Sequence, residues 1–135
     1  MATPHKFIIS LGSNLCHDEA ECNLSKAELF LTELFGPDVR FSSHYSTPGI
    51  GSGEGKIYIN SVAIGLTSLS SSQISCSLKS FEIFQGRTPE VKSLGIVPID
   101  LDLLSLGGVV FKPNDLNQQY VLQGLNQLIE PSSTR

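Results

Sequence analysis

Two aspartates separated by one residue, Asp100 and Asp102, are the part of the sequence with the clearest chemical meaning. They lie in the run Ile99-Asp100-Leu101-Asp102-Leu103, whose apolar residues predict a strand. Because side chains alternate along a strand, both carboxylates would share one face and the leucines the other. Two adjacent acids repel unless a cation lies between them, and Mg²⁺ takes one or two carboxylates together with phosphate oxygens. The pair favours metal-assisted phosphate chemistry; the alternative is a solvent-facing strand with two ordinary acids.

An arginine precedes this pair by thirteen residues, in the dipeptide Gly86-Arg87. Its guanidinium is suited to bidentate contact with a phosphate group. The alternative is a solvated residue that complements the dipole at a helix end.

The elements that must position these side chains follow from hydrophobic periodicity. The order is strand, helix, strand, strand, helix, strand, which is typical of a ferredoxin-like βαββαβ sandwich. We therefore expect an α+β fold with an antiparallel sheet and helices on one face, formed by one domain over 1–135. Two long loops, over 48–56 and 86–98, are expected to be binding loops. Strands are predicted over 6–11, 39–45, 58–66 and 99–106, helices over 18–35, 70–85 and 120–129, a hairpin strand over 109–111, and a frayed tail over 130–135.

Composition excludes several classes of protein. The chain of 135 residues is 40% apolar and 16% charged, as expected of a packed core. Lysine and arginine total 9 against 13 acids, with no basic stripe, so nucleic acid is not an expected partner. No apolar run reaches the length of a signal peptide or a membrane span, and the three cysteines show no CxxC spacing. We expect a cytoplasmic protein with reduced thiols, whose oligomeric state the sequence leaves open.

Several short motifs together resemble one family. They are Ile9-Ser10-Leu11-Gly12-Ser13-Asn14-Leu15, Tyr45-Ser46-Thr47-Pro48, Tyr58-Ile59-Asn60, Glu82 with Gly86-Arg87, and Ile99-Asp100-Leu101-Asp102-Leu103-Leu104. In this order and with these gaps, the chain is similar to 6-hydroxymethyl-7,8-dihydropterin pyrophosphokinase, an enzyme family of the folate pathway.

The resemblance implies an activity and a set of roles. The activity is Mg²⁺-dependent transfer of pyrophosphate from ATP to the hydroxymethyl group of a reduced pterin. By this resemblance Asp100 and Asp102 bind the metal and act in catalysis with Arg87. The implied pterin residues are the aromatic pair Tyr58 and Tyr120, the amide Asn60, and Thr47. On the nucleotide side the implied residues are Glu82, Lys79 and Lys92.

The chain also departs from the family pattern, and the departures remove positive charge from the expected triphosphate site. Val97 stands where the family has arginine, and Gln118 replaces another arginine. In the loop after Gly86-Arg87, which is rich in arginine and lysine in the family, Lys92 is the one cation. A Pro-His motif is missing around 114–116, and Gly124 stands in place of a proline. Two alternatives to the active kinase therefore remain: a catalytically impaired homologue that binds a pterin-like ligand, and an interaction domain.

Overall fold

A computed structural model describes residues 3–49 and 56–129 of the protein. Most of the loop predicted over 48–56, and the whole tail predicted over 130–135, lie outside the described residues. The elements are β1 (His5–Ser13), α1 (His17–Phe35), β2 (Arg40–Phe41), β3 (Tyr45–Pro48), β4 (Ile57–Thr67), α2 (Ser71–Phe84), α3 (Pro89–Ser93), β5 (Asp100–Leu106), β6 (Val109–Val110), α4 (Pro113–Leu116) and α5 (Gln119–Ile129).

One antiparallel sheet of six strands forms the centre of the fold, in the order β2-β4-β1-β5-β6, with β3 also paired to β4. The β1–β4 ladder is the longest and runs from His5↔Thr67 to Ser13↔Ile59. The hairpin predicted across Gly107-Gly108 is present, because β6 pairs with the end of β5. The predicted ferredoxin-like α+β fold is confirmed. The expectation that the helices lie on one face is wrong, because α5 packs on the opposite face of the sheet from α1 and α2.

Alternation along the strands divides the core between the two faces of the sheet. Leu101 and Leu103 face α1 and α2, as the strand pattern predicted, in a cluster with the odd-numbered apolar residues of β1. Val62 and Leu104 point to the opposite face, where α5 packs on them through Val121, Leu125 and Leu128. Burying each such side chain stabilises the fold by about 1.5–3 kcal/mol. No helix of the described residues is both long and apolar enough to cross a membrane.

The strand predicted over 39–45 is wrong in its bounds. It is two short strands, and the second continues through Pro48. Phe41 pairs with Ala63 and Tyr45 pairs with Asn60. The chain therefore advances four residues between these two pairs on the edge side but only three residues in β4. The extra residue forms a bulge, in which the Ser42 hydroxyl accepts a hydrogen bond from the Val62 N–H at 2.9 Å.

Residues 40–45, which include this bulge and are called the edge segment below, contact helices on both faces of the sheet. His44 lies between two carboxylates of α1, with Nδ1 hydrogen-bonded to Glu21 and Nε2 2.7 Å from Glu28. Burial lowers the pKa of His44, but the two hydrogen bonds and the two negative charges outweigh burial and raise the pKa above its ordinary value. Tyr45, the next residue, reaches the opposite face and binds α5.

The loop predicted over 86–98 contains a helix that the sequence reading missed. Thr88 accepts a hydrogen bond from the Val91 N–H at 3.3 Å, and Pro89 occupies the first helical position. A second short helix, α4, also begins with a proline and was not predicted. Both signals are present in the sequence, but each helix is too short to show hydrophobic periodicity.

Candidate active site

Asp100 and Asp102 lie on the face of the sheet that α5 covers only in part. Across the ladder, Gly12 is opposite Asp100 and Ser10 is opposite Asp102. These two small residues leave the face open beside the carboxylates, whereas Leu104 on the same face is buried under α5. The predicted alternation is present, and it places both acids at the floor of an open site.

Arg87 reaches this floor from the end of α2. Gly86, with φ of 101°, lets the chain turn sharply after the helix. The guanidinium Nη1 of Arg87 lies 2.7 Å from Asp100 Oδ1 and 3.0 Å from Glu82 Oε2. The arginine therefore bridges a helix carboxylate and a strand carboxylate, which is a structured arrangement rather than a solvated helix end.

Glu82 accepts a backbone hydrogen bond at the outer edge of β5. Its Oε2 accepts a hydrogen bond from the Leu101 N–H at 2.7 Å, and the residue is buried. Among the described residues β6 pairs only with Ser105 and Leu106, so the Leu101 N–H has no strand partner on that side. Burial raises the pKa of Glu82, while the Leu101 N–H and the Arg87 charge lower it in part.

Burial also raises the pKa of Asp102, and the neighbouring Asp100 carboxylate raises it further. The positive charge that opposes this rise is Lys112, whose Nζ lies 3.9 Å from Asp102 Oδ1. A cation bound between Asp100 and Asp102 would lower the pKa of both carboxyl groups, because it favours their ionised form.

A cavity of about 730 Å³ opens between α2, β5 and the segment after β6. Its lining brings together all of the residues that were predicted on the catalytic and nucleotide sides: Lys79, Glu82, Arg87, Lys92, Asp100 and Asp102. It also contains Phe111 and Lys112, which the sequence reading did not single out.

A second, smaller cavity of about 140 Å³ adjoins the first at Asp100. All four residues predicted for the pterin line it, namely Thr47, Tyr58, Asn60 and Tyr120. The Asn60 amide is buried and donates to the Thr47 hydroxyl at 2.5 Å. Gly12 forms part of the wall, and a Cβ there would lie 3.0 Å from Asn60 Oδ1. The geometry thus offers two aromatic rings and an amide in one narrow pocket.

A match to a family model shows which family the chain belongs to. The model for 7,8-dihydro-6-hydroxymethylpterin-pyrophosphokinase matches residues 8–130 of the chain. The chain belongs to this family. The activity that the family carries is pyrophosphoryl transfer in folate biosynthesis, and the resemblance found in the sequence is confirmed. A comparison with curated proteins finds no match.

The two aspartates fit a hard divalent cation, the kind of metal expected from a pyrophosphokinase. They present oxygen donors on one face, opposite small residues. The described residues contain no group of three or more histidine, cysteine or acidic side chains able to hold a metal on its own. Two carboxylates completed by phosphate oxygens and water are a usual coordination for Mg²⁺.

Asn14 is a second residue whose importance the sequence reading missed, although it lies in one of the family motifs. Its Nδ2 donates to the Gly95 carbonyl at 2.8 Å, and its Oδ1 accepts from the Val97 N–H at 2.7 Å. The same amide group lies 3.4 Å from the Tyr58 hydroxyl. Asn14 therefore fixes the end of the 86–98 connection against β1 and the small pocket.

Lys112 lies beside Asp102 because the chain leaves the β5–β6 ladder after Val110. A continued register would place Lys112 opposite Leu103 and on its face, so the hairpin pairing does not predict the contact with Asp102. The Phe111 N–H donates to the Leu104 carbonyl at 2.9 Å and brings the chain back to β5. The lysine is a cation on the nucleotide side that the motif comparison could not reveal.

Proposed function

We propose that the protein transfers pyrophosphate from ATP to the hydroxymethyl group of 6-hydroxymethyl-7,8-dihydropterin, with Mg²⁺ as cofactor. The observation that supports this proposal best is the meeting of the two cavities at Asp100. One cavity holds the rings and the amide suited to a flat polar heterocycle, and the other holds the cations suited to a triphosphate. A pyrophosphoryl group would pass between them beside the carboxylate pair.

The pterin would stack between Tyr58 and Tyr120, with its polar edge on Asn60 and Thr47. Burial raises the pKa of both tyrosines, and the Asp115 carboxyl adds to this effect at Tyr120. Both phenols therefore stay protonated and act as neutral rings. Stacking on two rings orients the hydroxymethyl group without any covalent contact.

ATP would place its triphosphate along Arg87, Lys92 and Lys112, with Lys79 at the far wall of the large cavity. The hydroxymethyl oxygen attacks the β-phosphorus, the bond to the α-phosphate oxygen breaks, and AMP leaves. Such a transfer depends on positioning and charge neutralisation rather than on covalent catalysis. Mg²⁺ held by Asp100 and Asp102 would neutralise phosphate charge.

The test is direct detection of AMP from purified protein with Mg-ATP and 6-hydroxymethyl-7,8-dihydropterin. Turnover that the double variant Asp100→Ala/Asp102→Ala abolishes would support the proposal. Asp38→Ala is the matched control, because Asp38 is exposed and lines neither cavity.

Two other results would replace the proposal with its alternatives. Pterin binding without AMP release at high protein concentration would assign a catalytically impaired, pterin-binding homologue. Binding of neither ligand would leave an interaction domain.

A further inference from the structure

Tyr45 is a buried residue whose hydroxyl is inserted into the first turn of α5. Its side chain rises from the sheet edge, and its hydroxyl donates to the Tyr120 carbonyl at 2.6 Å. The same phenolic oxygen also lies beside Gly124, one helical turn later. Tyr120 and Gly124 are four residues apart, and a regular α-helix joins the carbonyl of the first to the N–H of the second directly. One phenol therefore contacts both residues of a helical hydrogen-bonded pair.

Gly124 lets α5 approach the sheet closely at this point. A Cβ on Gly124 would lie 2.7 Å from Tyr45 Oη, 2.8 Å from Val62 Cγ2 and 3.0 Å from Ser42 Oγ. Contacts under 3.0 Å are essentially never seen for real Cβ atoms, so a larger residue would force the helix or these side chains to shift. The distance between α5 and the sheet is therefore set by the contact of Gly124 with the Tyr45 side chain.

The same edge segment makes two further hydrogen bonds with α5, both near its C-terminal end. The Ser43 N–H donates to Gln127 Oε1 at 2.8 Å, and Arg40 Nη2 donates to the Leu128 carbonyl at 3.1 Å. Two of these three polar contacts bind the C-terminal half of the helix. Only the Tyr45 contact acts on the turn that carries Tyr120, and it acts on the Tyr120 backbone itself.

We propose that Tyr45 is a positioning residue for the pterin, which fixes the backbone of Tyr120 so that its ring closes the small pocket opposite Tyr58. This inference rests on the proposed function, because it assigns the small cavity to the pterin. Tyr45 does not line that cavity and contacts no proposed ligand position. Its backbone pairs with Asn60, whereas its hydroxyl reaches the pocket through the Tyr120 carbonyl, so removal of the hydroxyl alone tests the contact with Tyr120.

The alternative is that the Tyr45 hydroxyl only stabilises the fold, and the two roles have different consequences. In Tyr45→Phe the Tyr120 carbonyl can still accept the ordinary helical bond from the Gly124 N–H, so no backbone group is left unpaired. The loss of stability should be small. We expect the Tyr120 backbone, without the bond from Tyr45, to shift and to move its ring relative to Tyr58.

The experiment measures pterin binding by ligand fluorescence, Mg-ATP binding by calorimetry, and KM and kcat for both substrates in Tyr45→Phe. We expect the Kd and KM for the pterin to rise about tenfold, the scale of one net hydrogen bond. The Kd for Mg-ATP should stay unchanged, and kcat at saturating pterin should fall by less than about twofold. Ser61→Ala is the matched control, since it deletes a buried hydroxyl for which the described residues offer no hydrogen-bond partner.

Gly124→Ala tests the same contact from the helix side. Its Cβ should displace the turn outward and weaken pterin binding, with Mg-ATP binding retained. Unchanged pterin affinity in both variants, or an equal loss of pterin and nucleotide binding with a lowered Tm, would overturn the positioning role. A wild-type protein that binds no pterin would instead overturn the proposed function, and the inference with it.

Discussion

Two substitutions of Glu82 should distinguish how much its hydrogen bond and how much its charge contribute to the stability of the fold. Glu82→Ala removes the acceptor of the Leu101 N–H at a part of the β5 edge that pairs with no strand of the described residues. A hydrogen bond to a charged group contributes about 1.5–3 kcal/mol, and one lost buried methylene adds about 0.8 kcal/mol. We expect Glu82→Ala to lower the free energy of unfolding by about 3 kcal/mol.

Glu82→Gln keeps an oxygen that can accept from the Leu101 N–H. The variant loses the ion pair with Arg87, a half-exposed arginine that retains its contact with Asp100. Since burial raises the pKa of Glu82, the charged side chain carries a desolvation cost in the folded protein, and the amide removes this cost. The expected loss for Glu82→Gln is therefore below about 1 kcal/mol.

The assay is urea unfolding at neutral pH, read by circular dichroism and analysed for a two-state transition. Glu33→Ala, an exposed glutamate of α1, is the control and should stay within about 0.5 kcal/mol of wild type. Equal losses for Glu82→Gln and Glu82→Ala would refute the reasoning, because the charge and not the strand-edge hydrogen bond would then dominate.

Three further predictions concern the edge segment and the two cavities. The pKa of His44 is raised from 6.5, so its stabilisation is complete below about pH 6.5 and is lost as pH rises through the folded-state value. The unfolding free energy of wild type minus that of His44→Gln should therefore be larger at about pH 6 than at about pH 9; a pH-independent difference would contradict the ion pair. Gly12→Ala should push the Asn60 amide aside and weaken pterin binding about tenfold, with Mg-ATP affinity unchanged as the internal control. Lys112→Ala should raise the Kd for Mg-ATP up to about fivefold, the scale of a half-exposed charge contact, and Lys112→Arg should restore it. Equal nucleotide affinity in Lys112→Ala would exclude the lysine from the phosphate site.

The sequence predicted the parts of the fold that depend on periodicity. The strand of Asp100 and Asp102 has the predicted alternation, since Leu101 and Leu103 enter the core on the other face. The helix predicted over 18–35 also agrees closely with α1, because a long apolar stripe and the following Gly36 define both its face and its end.

The sequence could not show features that depend on contacts between distant residues. The bulge between β2 and β3 arises because Ser42 bonds across to Val62, and no local pattern indicates this. The motif comparison gathered the residues of both cavities, but it did not identify Lys112 or Tyr45. Lys112 enters the site where the chain leaves the hairpin ladder, and Tyr45 acts through the backbone of another element.

The edge segment has a consequence for how the protein opens. It is bound to α1 through His44 and to α5 through Tyr45, so one segment of the sheet edge contacts helices on both faces of the sheet. A helix near the end of a chain would ordinarily fray first and exchange its amide hydrogens quickly. Here α5 can separate only if the sheet edge also yields, so the slowest-exchanging amides of α5 should report global unfolding rather than local opening.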